Sequence, residues 1–183
     1  MLGFVEAHST WLWDDETPIL QERLTLHVFR KTDGGRVIDV TLRLEALVDD
    51  IRLGGRPEAG YSGFCVRMAA GTDQRIRPYI DPADAHPRRA WADYAAQVAG
   101  EPAGLTILQH PETPLYPSEW VQYPELNFFQ PGFPGATEML TLTKGEPLEV
   151  RFRLWVHGDA PDASQLTALW DAFARPGETY VFD

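Results

Sequence analysis

Two stretches of this chain alternate apolar and polar side chains so regularly that few folds remain open to it. Val40, Leu42, Leu44, Ala46 and Val48 interleave with Thr41, Arg43, Glu45 and Leu47, and Val150, Phe152, Leu154 and Val156 interleave with Arg151, Arg153 and Trp155. Successive side chains of a strand point to opposite faces, so a period of two with one apolar face means a half-buried strand. Before the first stretch lies a β-rich run, Ile19 to Arg30, joined to it by Lys31-Thr32-Asp33-Gly34-Gly35, which supplies the positive φ of a tight reversal. Before the second, Thr137 to Thr143 leads through Lys144-Gly145-Glu146-Pro147, and this spacing predicts a second hairpin. One segment has helical period instead. Leu166, Leu169, Trp170 and Phe173 fall at i, i+3, i+4 and i+7, with Asp162 or Ser164 as cap and Pro176-Gly177 as stop. The pattern predicts an all-β, antiparallel β-sandwich with one C-terminal helix over about 162–175.

The connecting segments are less regular. Ala90 to Val98 reads as a strand, although Trp91, Tyr94 and Ala95 also fit a helical face, because Gly100 and Pro102 follow so soon. Leu105 to Gln109 is a short strand, and residues 71–86 form a polar excursion. The glycines between Gly54 and Gly63 are scattered and no lysine follows them as in a phosphate-binding loop, so they read as a connection. Residues 111–134 hold Pro111, Pro114, Pro117, Pro124, Pro131 and Pro134, too many for a regular ladder. Tyr116, Trp120, Tyr123, Phe128, Phe129 and Phe133 lie among them. A long, packed, aromatic loop is expected there, and such loops on a β scaffold carry binding surfaces.

A length of 183 residues suits one domain spanning 1–183. The net charge of −11 repels a phosphate backbone, so no nucleic-acid partner is expected. Arg75, Arg77, Arg88 and Arg89 are interleaved with Asp73, Asp81 and Asp84 and read as a solvated loop. The single cysteine, Cys65, allows no internal disulfide and reads as a buried thiol in Phe64-Cys65-Val66. No apolar run is long enough to span a bilayer, and the N-terminus has no secretory pattern, so no membrane partner and a cytoplasmic location are expected. His8, His27, His86, His110 and His157 show no metal-ligand spacing, although His8 and His27 can meet across neighbouring strands. Neither a metal nor another cofactor is indicated.

Candidate chemistry gathers around the proline-rich loop. His110 ends an apolar strand at the loop's mouth, and Glu112 and Glu119 are near enough in sequence to orient it or to act as general acid and base. Trp120, Tyr116, Trp91 and Tyr94 offer aromatic planes suited to the C–H faces of a sugar, and Asn127 offers an amide. Glu22 shares a face with Leu24 and Leu26, so it requires a partner. Trp11 and Trp13 share one face of the first strand and suggest an interface patch, with a homo-oligomer as one outcome.

Several segments resemble the PmoA-like family, often labelled methane oxygenase PmoA. Gly63-Phe64-Cys65-Val66-Arg67-Met68-Ala69, Trp91-Ala92-Asp93-Tyr94, Gly104 to Pro111 and the closing Val156-His157-Gly158-Asp159 are similar to that family's motifs, in the same order, over about residues 16–175. The chain departs from the pattern in lacking an N-terminal GHPRG segment, as a short relative or part of a longer fold would. It also has Gln109 where an Asp is usual, and Tyr116 and Val121 where histidines are usual. The resemblance implies a supersandwich like that of sugar mutarotases, or part of one. It also implies a carbohydrate-related binding or accessory role, with a saccharide ligand and a sugar oxidoreductase as partners. The alternative is a carbohydrate-processing enzyme of hydrolase or lyase type that uses His110 and the loop carboxylates. Whether the chain is catalytic is open at this point.

Overall fold

A computed structural model describes residues 3–56, 63–79, 88–123, 127–135, 138–158 and 161–174. In chain order the strands are β1 (Gly3–Trp13), β2 (Thr17–Val28), β3 (Arg36–Ala46), β4 (Ile51–Gly54), β5 (Val66–Arg67), β6 (Thr72–Tyr79) and β7 (Arg88–Arg89). They continue with β8 (Trp91–Val98), β9 (Glu101–Gln109), β10 (Ser118–Tyr123), β11 (Phe128–Gly132), β12 (Met139–Leu142) and β13 (Leu148–His157), before the helix α1 (Ala163–Ala174). Seven strands form one antiparallel sheet in the order β1-β2-β3-β13-β9-β8-β6, four form a second in the order β5-β11-β10-β7, and β12 pairs with β4. The result is an antiparallel sandwich with a C-terminal helix, as the alternation predicts.

Register explains which side chains meet. On β13, Val150 and Phe152 point with Val40 of β3, Ile107 of β9 and Tyr94 of β8 toward the second sheet, where Phe129, Phe133 and Trp120 complete the core. Phe64 stacks on Phe152 with ring centroids 4.3 Å apart. The opposite face of the large sheet carries Arg151, Arg153, Trp155 and His157, together with Trp91, Asp93, Thr106 and Leu108. The helix covers part of this polar face: Leu166 is fully buried against Trp91 and Leu108, while Leu169, Trp170 and Phe173 pack around them. Asp162 is its cap. The Asp162 carboxylate accepts the Gln165 N–H at 2.8 Å, and the Gln165 amide oxygen accepts the Asp162 N–H at 3.0 Å, a reciprocal capping box. Pro176 and Gly177 lie outside the described residues.

Several sequence expectations are corrected. The second hairpin does not form, because β13 is flanked by β3 and β9, so the Thr137–Thr143 run contributes β12, which pairs with β4 instead. The polar excursion of 71–86 contains the edge strand β6, in which Ile76 packs against the core among the charged and polar residues 73–77, and which so carries little periodic signal. Its remainder, residues 80–86, is outside the described residues. The proline-rich stretch is not one loop but holds the hairpin strands β10 and β11. Pro131 fits because β5 reaches only Phe128 and Phe129, so the ladder on one side of β11 has already ended. The short strand at Leu105 begins earlier, at Glu101. Ala99 and Gly100, with φ of 53° and 83°, make a two-residue reversal from Val98 to Glu101. Cys65 is exposed rather than buried, and its thiol donates to the Gln130 side-chain oxygen. His8 and His27 do not meet, since β1–β2 register sets His8 opposite Arg23 and Phe4 opposite His27. Glu22 does have its partner: its carboxylate accepts the Trp11 indole N–H at 3.1 Å.

Candidate functional site

The most concentrated polar chemistry lies on the helix-side face, where three neighbouring strands place Asp93, Thr106 and His157 together. Asp93 and Thr106 are direct partners in the β8–β9 ladder, and His157 faces Gly104 across the β13–β9 ladder. The glycine makes the arrangement possible. A Cβ at position 104 would collide with the His157 ring and fall 2.7 Å from the Tyr94 carbonyl. With no side chain there, the imidazole lies across β9 and reaches Asp93 two strands away.

Asp93 is fully buried. Its Oδ1 accepts the Thr106 hydroxyl at 2.8 Å and lies 2.8 Å from His157 Nε2, so that nitrogen carries its proton toward the carboxylate. Its Oδ2 accepts Arg77 Nη2 at 3.2 Å, and the same guanidinium nitrogen donates to the Pro161 carbonyl at 3.1 Å. A buried carboxylate is tolerable only when paired and hydrogen-bonded, and these donors meet that need. His157 is as enclosed as Asp93, with its side chain 1% exposed, whereas that of Arg77 is 39% exposed. The cluster therefore meets solvent through the arginine. Its consequence is positional: the Arg77 guanidinium is held from two sides, and it borders a concavity of about 230 Å³ also lined by Asp73, Arg75, Gln97 and Pro102. A smaller concavity, of about 150 Å³, lies on β1–β3 between His8, Arg23, Arg43 and Glu45.

The residues nominated from sequence are placed in several different settings. His110 is 2% exposed, just beyond β9, with the Phe173 ring edge-on to it at 5.0 Å. Its Nδ1 accepts the Glu112 N–H at 3.2 Å, while the exposed Glu112 carboxylate is engaged by Arg151. His110 and Glu112 are thus together, as sequence proximity suggests. Tyr116 stacks over Trp170 and Trp91 tilts against the same ring, so both belong to the helix packing. Tyr94 and Trp120 both stack with Phe129 in the core between the sheets. Trp91 and Tyr94, three positions apart on one strand, point to opposite faces. Glu119 lies in the second sheet, opposite Gly132. Asn127 sits at the turn before β11 with φ of 50°; its carbonyl accepts the Met68 N–H at 2.7 Å and its side chain accepts from Gln74. Sequence reading nominated neither Asp93 nor Arg77. The available signal was an aspartate inside an otherwise apolar strand, Trp91-Ala92-Asp93-Tyr94, which demands a partner wherever that strand is interior.

Burial lowers the His110 pKa from its ordinary value of 6.5, and the nearby Arg151 guanidinium lowers it further, with Glu112 opposing. At pH values between the depressed folded pKa and 6.5 the unfolded chain binds a proton that the native chain refuses. The contribution of His110 to stability is therefore fully present above 6.5 and is lost as pH falls through that value toward the folded pKa. His110→Gln should flatten the decline in urea midpoint between about pH 8 and about pH 5. An identical decline in the variant would assign the titration to another group.

With this geometry in view, residues 3–171 match a family described as a family of unknown function, DUF6807. The chain belongs to that family. No curated protein and no solved structure matches it. The resemblance to the PmoA-like family is corrected accordingly: the family found is DUF6807, and the match begins at residue 3 rather than near 16. For this DUF6807 member the site must be read from its own residues. Among the described residues no helix is long and apolar enough to cross a membrane.

Proposed function

We propose that this DUF6807 protein serves a binding role for a saccharide-class ligand, at the concavity beside Arg77. The observation that carries the reading is the preset guanidinium: Arg77 is fixed by buried Asp93 at 3.2 Å and by the Pro161 carbonyl at 3.1 Å at the rim of the cavity. A donor held in place before binding loses little freedom when the ligand arrives. Asp73, Arg75 and Gln97 add acceptors and donors, and Pro102 with Ala95 adds an apolar surface. A polyhydroxylated ring needs that mixture. The enzymatic alternative, with His110, Glu112 and Glu119 as acid and base, has less support, because Phe173 covers His110, Arg151 engages Glu112 and Glu119 lies in the other sheet. The sugar oxidoreductase partner came only with the PmoA-like resemblance and is not carried further.

Calorimetry of the intact chain against neutral and carboxylate-bearing monosaccharides and disaccharides tests the reading. Binding is expected for at least one of them, with Gln97→Ala weakening it by about 0.5–1.5 kcal/mol, the worth of one hydrogen bond. Absence of heat with every sugar, or an affinity indifferent to Gln97→Ala, would remove the site.

A further inference from the structure

The two edges of the seven-stranded sheet are built differently. Edge strand β6 carries Asp73, Arg75, Arg77 and Pro78, and its ladder with β8 contains an extra residue between Thr72 and Arg75, with Asp73 at a φ of 55°. Charge, proline and a bulge are the usual devices that keep an edge from pairing with another chain. The other edge, β1, has neither a proline nor an extra residue of its own. Its sequence, Gly-Phe-Val-Glu-Ala-His-Ser-Thr-Trp-Leu-Trp, contains one carboxylate and no lysine, arginine or proline. The one irregularity in its pairing places Trp11 opposite Leu20 and Leu12 opposite Pro18, so the extra residue, Ile19, belongs to β2 and not to β1.

Beta-strand 1 is also where apolar surface is left uncovered. Phe4, Val5, Trp11, Leu12 and Trp13 are 56%, 54%, 43%, 46% and 65% exposed. The main core ends at Leu24 and Leu26 of β2, and no β1 residue joins it. For side chains of this size the exposed fractions amount to roughly 500 Å², against about 800 Å² per partner in a standard interface. Backbone pairing along eleven residues would contribute the rest.

We propose that β1 is a dimerisation edge on which a second copy of this chain pairs antiparallel about a two-fold axis at His8, joining the two large sheets into one. Directly opposite residues share a face in antiparallel pairing, and this register overlaps all of Gly3–Trp13 with itself. Val5 then meets Trp11 and Gly3 meets Trp13 on the face continuous with the core. Phe4 meets Leu12 on the other face, and Glu6 meets Thr10. Within each chain Glu6 Oε1 lies 2.7 Å from His8 Nε2. At the axis the two imidazoles are therefore flanked by two carboxylates, one from each copy. The isologous pattern sets Val5 beside Trp11 and Phe4 beside Leu12 twice over, once on each side of the axis.

The test is sedimentation of the full chain over a concentration series, with Val5→Lys as the interrupting variant. Val5 is more than half exposed in the single chain, so at concentrations where both proteins are monomeric the variant should keep the parent's urea midpoint. The parent should sediment as a dimer at about 50 µM, and Val5→Lys should raise the dimer dissociation constant at least about tenfold, as the loss of one central interface contact does. Register is read separately in a Cys65→Ser background, in which His8→Cys should cross-link two copies on mild oxidation and Phe4→Cys should not. A monomeric parent, or a dimer indifferent to Val5→Lys, overturns the proposal. So does cross-linking through Phe4→Cys in place of His8→Cys, or isolation of the chain with β1 occupied by a different protein and no self-association.

Discussion

Replacing Asp93 with alanine is expected to cost about 3 kcal/mol of folding stability, measured as a lowered urea midpoint with an unchanged slope. The substitution leaves the Thr106 hydroxyl and the His157 imidazole without their shared acceptor in a place water does not reach, and each stranded donor carries its own desolvation cost. Arg77 loses its counter-ion but keeps access to solvent, which holds the total to the lower end of what breaking a buried ion pair costs. Asp93→Asn keeps one acceptor oxygen and should lose less. If the alanine variant were as stable as the parent, the cluster would not be the partner-dependent arrangement described above. A separate consequence concerns ligand binding: with Asp93 gone, one of the two restraints on Arg77 disappears, so affinity at the adjoining concavity should fall even in molecules that remain folded.

Leu166→Ala is the second large effect, expected at about 2–5 kcal/mol. Leu166 is completely buried against Trp91 and Leu108, and it is the one fully buried side chain on the described helix. The helix has other attachments. The Trp170 indole donates to the Gln109 carbonyl at 3.3 Å, and the Arg153 guanidinium lies 4.7 Å over the Phe173 ring while Asp39 grips the same arginine at 2.6 and 2.8 Å. These contacts are peripheral and partly exposed, so removing the central leucine should loosen the helix before the sandwich unfolds. Three readouts together separate that from global unfolding. The rate at which diethylpyrocarbonate modifies histidine should rise, because Phe173 no longer shields His110. Tryptophan emission should shift to the red while the strand signal in circular dichroism is retained. Loss of the strand signal together with the faster modification and the red shift would mean that helix and sandwich unfold as one unit.

The strands that carry strong alternation were legible, and the others were hidden for definable reasons. β3 and β13 sit inside the large sheet with one apolar and one polar face, the condition under which period two appears in a sequence. β6 is an edge strand whose residues 73–77 alternate charge and polarity around a single Ile76, and so resembled a polar excursion. β10 is short and bordered by Pro117 and Pro124, and β11 contains Pro131, which fits because β5 pairs only with Phe128 and Phe129. The pairing of β12 with β4 could not be read locally, since proximity to β13 argued for a hairpin and only the occupation of both β13 edges excluded it.

Legibility of the candidate site follows the same division. His110 at the end of β9 was found from its place between strand and loop, and Glu112 does lie beside it. What could not be read was the cover: Phe173 is 63 positions away in the sequence, and its closure over His110 depends on how the helix returns to the sheet. The aromatics were scattered because Trp91 and Tyr94 differ in parity on one strand, which sends one to the helix and the other to the core. Sequence by itself determined the antiparallel β architecture, the β2–β3 hairpin, the capped helix and the apolar stripe that docks it, since each follows from periodicity or turn chemistry within a dozen or so residues. Tertiary structure alone decided that Asp93, Thr106, His157 and Arg77 would converge, because four side chains from β6, β8, β9 and β13 meet through strand order and register. The space that admits His157 comes from the absent side chain of Gly104, and its effect becomes visible only when β13 lies beside β9.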